Sequence, residues 1–325
     1  MKKILAIVSL IFAFASTSAI ANDYKCDKKF IFFPGGPEGG PFGTIVYNGA
    51  VAAAEHTGCK VDYYWSQWNS EIMIKQFKEA VALQPDGIAI YGFPGDAAMR
   101  PIINEAIKKG IVITTMNTPL PDLEAELKTT GFGYAGADLF DAGFNLGKKG
   151  VEVCGLKAGD KAFIWGLASM PNRGERTKGA IAGVESMGVK VVYQEIPDNV
   201  NSDASQGTPM YVATYAANPD IKMAITDHGG LTASLPTYMK AAGHGTEAVC
   251  GAGFDLSAPI VDGINSGYID VVIDQQPFIQ GYMPIVQLYL STKFGMAGLA
   301  MDTGAAFVTK ANIDAIAPLA AQQIR

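Results

Sequence analysis

Five polar side chains stand where apolar runs end. Asn117 closes the run VITTMN, Asp227 closes MAITD, Asp255 follows GAGF, Gln275 closes VVIDQ, and Arg176 opens an amphipathic stretch after the run at 161–166. Carboxylates, amides and a guanidinium together offer paired donors and acceptors. Such forks take adjacent hydroxyls, each of which both gives and accepts a hydrogen bond, so the set suits a polyhydroxylated ligand. A hydroxyl left unpaired after burial costs ~1 to 3 kcal/mol, which turns hydrogen-bond matching into selectivity. Each residue alone has a plainer reading. Asp227 and Asp255 have the chemistry of helix caps, as do Asp96 after FPG and Ser70 before Glu71, and Arg176 has Glu175 and Glu185 as ion-pair partners nearby. The set of five carries more weight than any member.

Other chemistries lose ground on spacing. The loop FPGGPEGGPFG at 33–43 has the glycines of a phosphate cradle but no Lys, Ser or Thr, so it lacks the groups with which a GxxxxGK[ST] loop contacts phosphate and metal. A GxGxxG string does occur at 131–136, yet 124–130 before it is polar rather than a buried strand, and it reads as a crossover between lobes. The three histidines, His56, His228 and His244, have no metal-ligand spacing, and no GxSxG elbow occurs. No cofactor or metal is expected. For an enzyme, Asp227 with His228 is the one attractive acid-base pair, and binding without turnover is the expected activity. Of the tryptophans in WSQWNS, Trp65 suits a lobe core, while Trp68 suits either the core or a cleft-lining platform.

The elements that must position these groups follow from periodicity. Apolar runs at 30–33, 60–65, 87–92 and 112–117, then at 161–166, 190–196, 223–227, 249–254 and 271–275, read as strands. Amphipathic stretches at 44–56, 71–83, 97–109, 139–153, 173–187, 204–217, 231–242, 258–266 and 280–294 separate them as helices. Strand and helix alternating in this way predict an α/β chain of βαβ units with parallel sheets. The series breaks near Pro119-Leu120-Pro121 and resumes at about Tyr134, which gives two doubly wound lobes. Ligands of such sheets bind beyond the carboxyl ends of the strands, where the five polar residues lie.

The first 21 residues carry Lys2 and Lys3, an apolar stretch at 5–15 and a small-residue cleavage site at Ala19-Ile20-Ala21, so 1–21 is expected to be a cleavable secretory signal and the mature chain to start at Asn22. Cys26 lies too far past the apolar stretch to be a lipoprotein acceptor. The full chain has 25 basic and 31 acidic residues, net −6, and loss of Lys2 and Lys3 makes it more negative still, which disfavours nucleic acid as a partner. Export permits disulfides among Cys26, Cys59, Cys154 and Cys250. Of three possible pairings, Cys26 with Cys59 and Cys154 with Cys250 is favoured, because each pair falls near the starts of strands expected to be neighbours; free buried thiols are the alternative.

With GGPFG at 39–43, GIAIYGFPGDAA at 87–98, VITTMN at 112–117, RGERTKG at 173–179, GFD at 253–255 and DQQPFIQGY at 274–282, the chain resembles the periplasmic sugar-binding proteins of ABC transporters, type I fold, of the ribose-binding cluster. The resemblance covers essentially the whole mature sequence. It implies two lobes joined by a three-segment hinge, one of 27–133 plus 276–302 and the other of 134–275 plus 303–325. It implies a soluble monomeric receptor that closes on a monosaccharide or polyol and docks on a membrane permease. Phe42 and Phe254 match stacking positions, Arg176 and Asp255 clamp hydroxyls, and Asn117, Asp227 and Gln275 complete the hydrogen bonds. Gly39, Gly40 and Gly43 stand where relatives carry ligand-contacting side chains, which implies a ligand other than ribose, with Glu38 reaching it instead. Two uses of one cleft stay open: transport, or a chemotaxis or signalling receptor of the kind that binds the furanose autoinducer-2. A transcriptional regulator is disfavoured, because no helix-turn-helix precedes the lobes.

Overall fold

A computed structural model describes residues 24–325. The expected secretory signal at 1–21 lies outside the described residues. In chain order the first part forms β1 (Lys29–Phe32), α1 (Pro41–Thr57), β2 (Lys60–Tyr63), α2 (Ser70–Ala82), β3 (Gly87–Tyr91), α3 (Asp96–Lys108), β4 (Val112–Met116), α4 (Pro121–Leu127) and β5 (Tyr134–Gly136). The second forms α5 (Leu139–Val153), β6 (Lys161–Gly166), α6 (Glu175–Ser186), β7 (Lys190–Glu195), α7 (Asp198–Ser202), α8 (Thr208–Ala217), β8 (Ile221–Thr226), α9 (Gly229–Ala241), β9 (Cys250–Phe254), α10 (Ala258–Ser266) and β10 (Val271–Asp274). The chain then runs through α11 (Pro277–Phe294), β11 (Ala300–Asp302), β12 (Ala306–Thr309) and α12 (Ile313–Ala321).

Two six-stranded sheets result, in the orders β11-β5-β4-β3-β1-β2 and β12-β10-β9-β8-β6-β7. The first is wholly parallel, and in the second only β12 runs antiparallel, against β10. Central strands such as GIAIY in β3 are buried at every position, as a strand covered by helices on both faces must be. The chain passes between the sheets three times: after β5, between β10 and α11, and between β11 and β12.

Several details differ from the sequence reading. Tyr134–Gly136 pairs with β4 and β11 in the first sheet, so the first crossing comes after it and not before it. A three-residue strand has no period to detect. The polar stretch before it holds α4 and a short 3-10 turn rather than a plain crossover. The helix expected at 204–217 is split, a 3-10 turn at Ala204–Gly207 preceding α8, where Gly207 and Pro209 interrupt the pattern. Asn69, not Ser70, caps α2, accepting from the Ile72 amide at 2.9 Å. Asp96 does not cap its own helix; its carboxylate accepts from the Leu123 amide at 3.0 Å and so caps α4.

The disulfides are Cys26–Cys59 and Cys154–Cys250, the pairing favoured from the sequence. The first ties the chain entering β1 to the start of β2, and the second ties the end of α5 to the start of β9. Their loops span 33 and 96 residues. The chain-entropy model assigns about 3.7 and 4.7 kcal/mol to loops of those lengths. Urea unfolding of C26A/C59A and C154A/C250A is therefore expected to show both destabilised, the second by about 1 kcal/mol more. Equal losses, or the reverse order, would show that native-state effects outweigh loop closure.

Candidate functional site

The carboxyl ends of both sheets face a cavity of about 220 Å³ between the lobes. Its walls are already close together. Asn172, in the loop before α6, donates across the cleft to Asp96 Oδ2 at 2.8 Å and to the Pro119 carbonyl at 3.0 Å.

The second lobe contributes a buried cationic cluster. Arg173, in the turn just before α6, and Arg176 and Thr177, in its first turn, gather around Asp227. Arg176 is 1% exposed, with Nη1 donating to the Asp227 carbonyl at 3.0 Å and Nη2 to Gln275 Oε1 at 3.1 Å. Its guanidinium carbon lies 4.4 Å above the Phe254 ring, a cation–π contact in a desolvated setting. Arg173 Nη2 forms an ion pair with Asp227 Oδ2 at 2.6 Å, and Thr177 Oγ1 donates to Asp227 Oδ1 at 3.1 Å. Close approach of α5 makes this possible: a Cβ on Gly143 would come within 2.0 Å of the Arg176 carbonyl, so only glycine fits there.

Burial lowers the Arg176 pKa to about 10, with the like charge of Arg173 adding to the fall, so the guanidinium stays protonated at neutral pH. Burial raises the Asp255 carboxyl, while Arg176 opposes that rise. Asp255 accepts from the Gly229 amide at 2.8 Å and from Gln275 Nε2 at 2.5 Å, thereby capping α9. Burial lowers His228 to about 4 against the pull of Asp227, which leaves its ring neutral at pH 7. Arg173 Nη1, Arg176 Nε and His228 Nε2 are buried without a hydrogen-bond partner in the protein. The three side chains line the cavity, but these nitrogens are themselves closed off from solvent.

The first lobe contributes an aromatic wall. Phe42, Trp68 and Phe93 line the cavity, with the Trp68 ring 6.1 Å from Phe42 and 6.4 Å from Phe93. The glycine-rich loop seats Trp68. A Cβ on Gly35 would lie 2.5 Å from the indole and one on Gly36 2.6 Å from Nε1, so any side chain at either position would displace the ring. Asn117, Asp255 and Gln276, each at the end of a strand, hold positive φ of 58°, 76° and 55°. Left-handed backbone at non-glycine residues is costly and concentrates at binding sites.

The model of the periplasmic binding protein domain matches residues 31–293. The chain belongs to the periplasmic binding protein family. Similar proteins include the xylose/arabinose-binding protein of Sulfolobus acidocaldarius, 23% identical over 269 residues, which cover 78% of this chain and 64% of that one. The chain thus spans less than two thirds of that relative's length. A carbohydrate transporter from Acidothermus cellulolyticus 11B in complex with myo-inositol shares the fold at TM-score 0.78 and 24% identity, covering 92% of this chain and 99% of that one. A solute-binding protein from Burkholderia graminis C4D1M in complex with D-arabinose matches at TM-score 0.78 and 21% identity, over 89% and 97% of the two chains.

In this binding protein Phe42, Asn117, Arg176, Asp255 and Gln275 meet at the cavity, as does Trp68. Phe254 does not line it; the ring is 1% exposed and lies beneath the Arg176 guanidinium, a platform for the cation rather than for a ligand. Asp227 also stands behind the wall, its carboxylate taken by Arg173 and Thr177. Glu38 is exposed beside a separate surface depression with Tyr47, Asp62 and Trp65. Of the three glycines, Gly40 and Gly43 line the cavity, Gly43 also facing Trp65 at 3.1 Å, while Gly39 borders the separate depression. The sequence reading passed over Arg173, Phe93, Thr118 and Gln280. Arg173 and Gln280 lay within the motifs RGERTKG and DQQPFIQGY, and Phe93 directly follows a strand end.

Removing the Asp227 carboxylate leaves two buried guanidiniums with less compensation, a loss of ~3 to 5 kcal/mol for a broken buried pair. Asp227→Ala is expected to lower the unfolding free energy, measured by urea denaturation, by that amount. A change under about 1 kcal/mol would mean that the pair is well solvated.

Proposed function

We propose that this chain is a periplasmic solute receptor of an ABC importer, which captures a monosaccharide or polyol in the cleft between its lobes and delivers it to a membrane permease. The observation that carries this reading is the pairing of buried Arg173, Arg176 and Asp255 with an aromatic wall of Phe42, Trp68 and Phe93 across one inter-lobe cavity. Hydroxyl oxygens accept from the arginines and donate to Asp255, while C–H faces of the ring lie on Trp68 and Phe42. The names of the relatives agree in type, since one is a xylose/arabinose-binding protein and others hold myo-inositol and D-arabinose.

Closure suits the same groups. The Asn172 bonds to Asp96 and Pro119 form only when the lobes approach, so they hold the closed form that buries the ligand. Rotation takes place at the three crossings, and the permease recognises the juxtaposed lobe surfaces.

A ligand at a hundredfold excess over its dissociation constant stabilises the folded state by about 2.7 kcal/mol, well within reach of a thermal-shift assay. A saturable shift with at least one member of a panel of neutral monosaccharides and polyols is expected for the wild type. Arg176→Ala is expected to abolish it, and Arg176→Lys, which keeps the charge without the planar fork, to reduce it strongly. No shift across the panel, or an unchanged shift in a folded Arg176→Ala protein, contradicts the reading.

A further inference from the structure

We propose that Gln280 is a positioning residue for ligand capture: it ties the cavity-lining amides Asn117 and Gln275 to Thr303 on the third crossing, so that cavity wall and hinge take up the closed arrangement together. This rests on the receptor reading above and adds a residue that acts through the cavity wall rather than on the ligand. Gln280 lies near the start of α11, which begins at Gln276 and Pro277 directly after the chain crosses from β10. Helical side chains lean toward the N-terminus of their helix, so this one reaches back to the chain that has just crossed. It is fully buried and does not itself line the cavity. Its Oε1 accepts from Asn117 Nδ2 at 3.1 Å. Its Nε2 donates to the Gln275 carbonyl at 2.9 Å and to Thr303 Oγ1 at 3.0 Å, with Gln275 Oε1 a further neighbour at 3.3 Å. An amide suits this position because it carries two N–H donors and a carbonyl acceptor, whereas a carboxylate has no donor and a hydroxyl a single one.

Each partner leads to a different part of the receptor. Asn117 follows β4 on the first lobe and lines the cavity. Gln275 lies on the second crossing, lines the cavity as well, and bonds to Arg176 and Asp255 of the second lobe. Thr303 joins the other two crossings: its amide donates to the Gly136 carbonyl at 3.0 Å, and its carbonyl accepts from Gln276 Nε2 at 3.1 Å. Gln280 is thus a buried link between the two cavity amides and the place where the three crossings meet. Rotation of the lobes at the crossings has to stretch or exchange these bonds, and a buried amide left unpaired is costly. The orientation of Asn117 and Gln275 therefore changes with the hinge, and a solute held against that wall favours one hinge position.

The test compares Gln280→Leu, Thr303→Val and Thr303→Ser with the wild type, using isothermal titration calorimetry for affinity and urea unfolding for stability. The probe is the member of the neutral sugar and polyol panel, D-arabinose, D-xylose and myo-inositol among them, that gives the largest wild-type thermal shift. Gln280→Leu and Thr303→Val are expected to weaken its binding at least about tenfold, which corresponds to about 1.4 kcal/mol. Thr303→Ser, which keeps the hydroxyl, is expected to recover most of the affinity lost in Thr303→Val. A residue that merely supports the fold would lower stability and leave the affinity of the folded protein unchanged. Thr303→Val removes a single hydroxyl at nearly constant shape and decides the matter where Gln280→Leu does not fold. Wild-type affinity in either folded variant, or Thr303→Ser as weak as Thr303→Val, overturns the inference and leaves the receptor reading standing. No binding of any panel member by the wild type overturns both.

Discussion

The site depends on two guanidiniums held side by side in the interior. Arg173 and Arg176 repel each other, and burial adds a desolvation cost that is of order several kcal/mol per ion. Asp227 makes the arrangement tolerable in two ways. Its carboxylate pairs with Arg173, and its backbone carbonyl accepts from both arginines at 3.2 and 3.0 Å. Phe254 supplies a π face beneath Arg176, and Gln275 takes a further N–H. Arg173 Nη1 and Arg176 Nε remain buried without a hydrogen-bond partner in the protein. The protein has compensated the charges while keeping part of their hydrogen-bonding capacity for something else.

The surrounding fold serves that arrangement. The turn before α6 and the first turn of α6 bring Arg173, Arg176 and Thr177 to Asp227, and glycines on α5 allow the helices to approach closely enough to bury Arg176. Strand ends do the rest. Asn117, Asp255 and Gln276 depart into left-handed backbone where the chain leaves the sheets. Since Gln275 bonds to Asn117 on one side and to Asp255 and Arg176 on the other, the crossing between the lobes is continuous with the cavity wall. Any group that binds the second-lobe nitrogens acts directly on that network.

Much of this was legible in the sequence because parallel sheets write themselves as apolar runs and put function at the ends of those runs. The five strand-end polar residues were found by that rule, and both lobes and both disulfides followed from periodicity and cysteine placement. The rule gives position along the chain, not which way a side chain turns. Asp227 and Arg176 look alike as strand-end or helix-start polar groups, yet one lies behind the other. Phe254 was expected as a platform for the ligand and proved to be one for a cation, because a fully buried arginine must have a face to rest on. The short strands β5, β11 and β12 are too brief for a period of two to register. The glycine loop at 33–43 carried the least legible message: the residue that explains Gly35 and Gly36 is Trp68, some thirty positions away, and no local pattern announces that contact.

The central claim is that the cavity holds a small neutral polyhydroxylated molecule. Native mass spectrometry of the protein as purified, repeated after unfolding, refolding and incubation with a neutral sugar mixture, addresses it directly. The account predicts a one-to-one adduct with the mass of a neutral monosaccharide or polyol, lost on unfolding and regained from the mixture. An adduct of another chemical class, such as an amino acid or a nucleotide, or none after incubation, would contradict it.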